Sequence, residues 1–124
     1  MGTRSTVKFY DEYSREPVLS VYQQYDGDIK GIGYELANFL KDKKIINGFM
    51  LGQTMKNGYA NGMGCLAAQY VALNKKEIGG FYLTYPKDKQ EYNYEVRLIN
   101  GNIIISVNDF EGSPDELLRH TEED

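Results

Sequence analysis

The chain has 124 residues, 41% of them apolar and 26% charged, with a net charge of −4. That balance predicts one globular domain spanning residues 1–124 around a single core, and its acidity excludes a general nucleic-acid binder, which needs a basic face to displace counterions. One cysteine, Cys65, excludes an internal disulfide and points to a reducing cytoplasm, while a lone histidine leaves little material for zinc sites or Cys-His catalysis.

The apolar runs are too short for a membrane span, and no signal peptide precedes them. STVKFYDE alternates Val7 and Phe9 against Lys8 and Tyr10, which predicts a strand. VLSVYQQYDG repeats the alternation with Leu19 and Val21, so the two segments read as a hairpin that Asp26-Gly27-Asp28 ends. GIGYELANFLKDKK then sets Ile32, Leu36, Phe39 and Leu40 on one helical stripe, closed by lysines that suit the helix dipole. IINGFMLGQTMKNGYANG reads as a long connecting loop. The next segment, GMGCLAAQYVALNKK, predicts a helix buried on most sides, with Cys65 as a packing residue.

The last third predicts strands. GGFYLTY alternates until Pro86 stops it, and YEVRLI and NIIISV flank Asn100-Gly101, a strong two-residue hairpin signal. That turn predicts three pairs sharing a buried face: Leu98 with Ile103, Val96 with Ile105, and Tyr94 with Val107. GSPDELLRH predicts a terminal helix with Ser113 as N-cap, Pro114 at N1 and Glu116 closing a capping box, followed by a frayed acidic tail over about residues 120–124. The order β-β-α-loop-α-β-β-β-α predicts an α+β fold: a largely antiparallel five-stranded sheet with two helices packed on one face.

Two helix starts resemble each other, GIGYELANFL and GMGCLAAQYV, each opening on Gly-apolar-Gly. Unpaired N–H groups and partial positive charge at such a start suit an anion. Glycines permitting a tight turn and close helix crossing are the competing explanation. Gly62-x-Gly64-x-x-Ala67 matches the dinucleotide fingerprint formally but lacks the preceding strand, and no Gly-Lys-Ser/Thr of a P-loop occurs. Thr3, Arg4 and Ser5 offer two hydroxyls around a guanidinium, a set suited to phosphate or carboxylate. Asp26 and Asp28 lack the later ligands of a calcium loop, so a plain turn is the better reading, and no metal is assigned.

Taken together, MGTRSTVKFYDE, VYQQYDG, GIGYELANFL, YANGMGCLAAQ and GGFYLTYP resemble a family of small bacterial and phage proteins. The resemblance covers roughly residues 1–110; DGDI stands where that family usually has Asp-Gly-Tyr-Pro. It implies no particular activity, and its phage members imply a host-interaction or anti-defence setting.

The leading expectation is therefore non-enzymatic binding of a small anionic, nucleotide-like ligand, in a phage setting the sequestration of a nucleotide signal. Its site would comprise Thr3, Arg4, Ser5, Asp26, Asn61, Gly62 and Gly64, with Tyr25 or Tyr59 stacking on a ring. No catalytic residue and no cofactor is assigned. The alternatives are a protein-interaction module or inhibitor using an exposed edge strand or the acidic tail, and, third, an enzyme acting on the same ligand with Asp26 or a tyrosine as base. Homo-oligomerisation through sheet edges is a further expectation.

Overall fold

The computed structural model describes residues 2–46 and 58–122. Its firmest element is the Asn100–Gly101 hairpin. Both residues take positive φ, 52° and 79°, the mirror-image turn whose twist matches the flanking strands. Strands β6 (Tyr92–Ile99) and β7 (Asn102–Val107) pair in the predicted register, Leu98 with Ile103, Val96 with Ile105 and Tyr94 with Val107. All but the half-buried Leu98 are buried.

The first hairpin also forms, from β1 (Ser5–Tyr10) and β2 (Pro17–Gln23). Further strands are β3 (Lys44–Ile46), β4 (Tyr59–Asn61), β5 (Phe81–Leu83) and β8 (Phe110–Gly112). Six of them make one sheet in the order β5-β2-β1-β6-β7-β8, while β3 and β4 pair separately and in parallel. The fold is α+β, but the sheet has six strands rather than five, and it is mixed because β1 and β6 run parallel. Three short strands escaped sequence reading for a physical reason. β3 opens and β4 closes the stretch read as one long loop, and β8 follows a tight turn, each only three residues long, too short for alternation to show. A strand, β4, therefore does directly precede the Gly62 helix start, where a loop was expected. The rest of that loop, residues 47–57, lies outside the described residues.

Helices α1 (Tyr34–Leu40), α2 (Gly62–Asn74) and α3 (Pro114–Glu122) contribute to one core with the sheet, so three helices take part where two were expected. Ile32, Leu36 and Leu40 bury the predicted stripe of the first helical segment, although it opens as a wide π-type turn over Ile29–Gly33. Helix α2 buries Met63, Leu66, Ala67 and Tyr70 but exposes Gly64, Ala68, Ala72 and Leu73. It is buried on one stripe, not on most sides, and Cys65 is only half-buried. In α3 the capping box is complete: the Ser113 N–H donates to Glu116 Oε1 at 2.8 Å, and the Glu116 N–H donates to Ser113 Oγ at 3.1 Å. These bonds hold the Glu116 carboxyl below its usual range. The helix continues through Glu122, and buried Thr121 donates to the Leu118 carbonyl at 2.7 Å, so the fraying expected from residue 120 does not begin there.

Strand β1 departs most from its expected alternation, since all six residues are buried. Val7 and Phe9 face the helices, whereas Thr6 and Lys8 lie under residues 84–93 on the opposite face. Burying a lysine there requires a partner. The Lys8 ammonium supplies one by donating to the Asp88 carbonyl at 2.7 Å.

Candidate functional site

The sequence-predicted residues fall into two groups. Thr3, Arg4 and Ser5 lie against the Asp26–Gly27 turn: the Gly27 N–H donates to the Thr3 carbonyl at 2.9 Å, and a Cβ on Gly27 would stand 2.8 Å from Ser5 Cβ. Ser5 and Gly27 are buried, Thr3 is half-buried and Arg4 is exposed. Asp26 has φ 58°, and its carbonyl accepts the Ile32 N–H at 2.7 Å. The Asp28 carbonyl accepts from Gly31 and Gly33. The N–H groups of Gly31, Ile32 and Gly33 are thus consumed by the turn before this helical segment. Buried Tyr94 completes the lock by donating its hydroxyl to the Gly27 carbonyl at 2.7 Å. Exposed Tyr25 packs its ring beside Gly2 and Gly80.

The second group sits elsewhere. Gly62 lines a shallow cleft with Asp11, Glu12 and Tyr13, beyond the far end of β1. Ser5 pairs with Gln23, and the Tyr70 hydroxyl of α2 donates to Gln23 at 2.8 Å, so α2 points its C-terminal half toward the Arg4 end. At about 3.3 Å per residue, β1 separates the two groups by roughly 17 Å. The described residues do not bring Arg4 and the Gly62 helix start into one pocket. The carboxylates of Asp11 and Glu12 beside that start also oppose an anion. Half-buried Tyr59 offers its carbonyl to Gln69 Nε2 at 3.1 Å. Asn61 precedes the helix without a side-chain cap bond, and Gly62 has φ 86°. A Cβ at Gly64 would meet nothing within 4 Å, so close packing does not explain that glycine.

A different region gathers exposed side chains around a cleft. Tyr10, Arg15, Glu16, Pro17 and the turn Thr84–Asp88 line an open cleft of about 980 Å³. Tyr10 forms a fixed wall: the Arg97 guanidinium lies 3.7 Å from its ring centroid, and its hydroxyl donates to Glu95 Oε2 at 3.3 Å. Burial first, then the Glu95 carboxylate, hold the Tyr10 hydroxyl above its ordinary pKa. The opposite wall is latched from below. Thr84 Oγ1 and Gln90 Nε2 each donate to the Asp88 carboxylate at 2.7 Å, Lys8 holds the Asp88 carbonyl, and the Asp88 N–H donates to the Tyr85 carbonyl at 3.0 Å. This scaffold presents Tyr85, 80% exposed, beside Pro86.

The exposed side chains continue along the sheet edge. Leu83 is 72% exposed, and Val18, Ile78 and Tyr82 also face solvent. The backbone of this edge is partly closed. Thr84 N–H and Gly80 C=O are paired to β2, so alternation turns the backbone groups of Phe81, Leu83 and Tyr85 away from β2. Lys75 Nζ occupies the Phe81 carbonyl at 2.7 Å and the Asp88 turn occupies that of Tyr85. Lys75, the C-cap of α2, thus covers part of a short edge strand, as charged groups set against strand addition do. Exposed side chains are the other feature this region offers.

Sequence reading took GGFYLTY only as a strand that Pro86 stops. The available signal was Tyr85-Pro86 at a strand end with Tyr82 and Leu83 just before it. Among the described residues no cluster of three or more His, Cys, Asp or Glu could hold a metal, and no helix is long and apolar enough to cross a membrane. Compared with protein-family models, curated proteins and solved structures, the chain matches none of them.

Proposed function

We propose that this protein is a non-enzymatic protein-interaction module that holds an extended segment of a partner protein in the Tyr10–Tyr85 cleft. The observation that carries the reading is the exposed Tyr85 held over that cleft, directly after the edge strand that exposes Tyr82 and Leu83. Exposed aromatic and aliphatic groups gathered on one rim are typical of contact surfaces, and aromatic anchors in pockets dominate binding energy. Arg15 and Lys87 are balanced by Glu16 and Asp88, so the cleft selects no single charge sign. An apolar or proline side chain fits between Tyr10, Pro17, Tyr85 and Pro86, with polar flanks along the rim. With the Phe81 and Tyr85 carbonyls already occupied, side-chain docking is the mode of contact in this reading.

Photo-crosslinking from a benzoylphenylalanine placed at residue 85, with residue 64 as control, tests this in lysate of the native host. The expected result is an adduct of one defined mass from residue 85, abolished by Leu83→Asp in the same chain. No adduct, or the same adducts from both positions, overturns the reading.

A further inference from the structure

On another side of the molecule, Leu40, Lys41, Lys43, Lys44 and Ile45 face the hairpin residues Gly101–Ile104 and the α3 start, Ser113–Pro114, across a cleft of about 580 Å³. Three of its lining residues are lysines and none is acidic, in a chain whose net charge is −4. One cation in a last helical turn suffices to complement the dipole. That accounts for Lys41, the C-cap of α1, but Lys43 and Lys44 lie past the helix.

Their backbone is fixed. The Lys43 N–H donates to the Leu40 carbonyl at 3.0 Å, and the Lys44 N–H donates to the Gly58 carbonyl at 2.6 Å. Lys43 Nζ lies 4.8 Å from the Phe39 ring centroid, so its ammonium rests over that ring at the edge of the cleft. Among the described residues no carboxylate forms an ion pair with any of the three. The nearest acid of α3, Glu116, is committed to Ser113 in the capping box. Lys41 and Lys44 are exposed and Lys43 half-buried; like charges lining one cleft repel one another, and a multivalent anion relieves that cost.

We infer that this cleft binds a small phosphate-bearing molecule, its phosphates on Lys41, Lys43 and Lys44 and its organic part on Leu40, Ile45, Ile103 and Pro114. Ser113 and Asn102 supply polar contacts at the rim. Lysines act as point charges for phosphate, so affinity rises with the number of phosphates and falls with salt.

The test titrates the full chain with inorganic tripolyphosphate and follows amide chemical shifts, at low salt and at about 1 M salt, where the screening length is about 3 Å. Expected are saturable shifts confined to residues 40–45, 101–104 and 113–114 that vanish at high salt. Lys43→Gln with Lys44→Gln should weaken binding by roughly tenfold, as expected when two of three partly screened charges are removed, and Lys87→Gln should leave it unchanged. Adenosine triphosphate in place of tripolyphosphate should add shifts at Ile45 and Ile103, reporting the organic part. Shifts spread evenly over every surface lysine, or equal affinity in the double variant, would overturn the inference. The wild-type map decides the matter even where the variant folds poorly.

Discussion

Two regions of this protein invert what their sequences advertise. The glycine-rich starts and the Thr-Arg-Ser and Asp-Gly-Asp stretches carry the eye-catching motifs, yet one group is interlocked and the other stands against carboxylates. The Thr84–Asp88 turn carries no motif, yet it is latched from beneath and presents Tyr85 to solvent. Motif density here marks backbone constraint, whereas the proposed contact surface is marked by exposure on a latched support.

The two glycine helix starts sharpen the contrast. A Cβ on Gly31 would collide with the Asp26 carbonyl oxygen, a backbone atom that cannot step aside. Gly31→Ala is therefore the most damaging change, expected to cost about 3 kcal/mol or more in urea unfolding. Loss of less than about 1 kcal/mol would break the claim that this end is interlocked. Next comes Tyr94→Phe, which strips the donor from the buried Gly27 carbonyl and should cost roughly 2 kcal/mol.

Smaller effects separate the second start from the first. Gly62→Ala should cost about 1 kcal/mol because φ is 86°, although no neighbour obstructs a side chain. Gly64→Ala, exposed and unobstructed within the helix, should instead stabilise by roughly 0.5 kcal/mol. Opposite signs two residues apart are the test; a destabilising Gly64→Ala would mean that this glycine has a contact partner.

The buried phenols add a pH signature. Burial, more than any neighbouring charge, raises the pKa of Tyr70 and of Tyr94 well above 10.0. Because the folded pKa exceeds the unfolded one, their contribution is complete below pH 10 and is lost as pH rises beyond it. Spectrophotometric titration should show these two phenols ionising only as the protein unfolds in alkali. Reversible ionisation of all tyrosines in the folded state would contradict their burial.

Much of the fold was legible because local chemistry and burial agree there. Asn100-Gly101 demands one turn, and that turn puts Tyr94, Val96, Ile105 and Val107 on one face. Ser113, Pro114 and Glu116 specify a helix start whatever lies around them. The parallel pairing of β1 with β6 was not legible, since it joins segments more than 80 residues apart without a local signal. Lys8 was read as an outward strand residue because its cover, the Asp88 turn, comes from equally distant sequence. For the same reason the candidate surface stayed hidden: Tyr10, Pro17 and Tyr85 meet only through strand order. The sequence places Thr-Arg-Ser and the glycine starts in the chain but is silent on which end of the sheet each occupies.

The most direct test of the interaction reading is the affinity of a display-selected peptide for wild type and for Tyr85→Ala, with urea unfolding run in parallel. An exposed side chain on a fixed turn should be replaceable within about 0.5 kcal/mol of stability. Its loss as an aromatic anchor should cost about 2 kcal/mol of binding, roughly thirtyfold in Kd. Unchanged affinity, or a loss of binding that only tracks a loss of stability, would contradict the Tyr10–Tyr85 cleft as the site of contact.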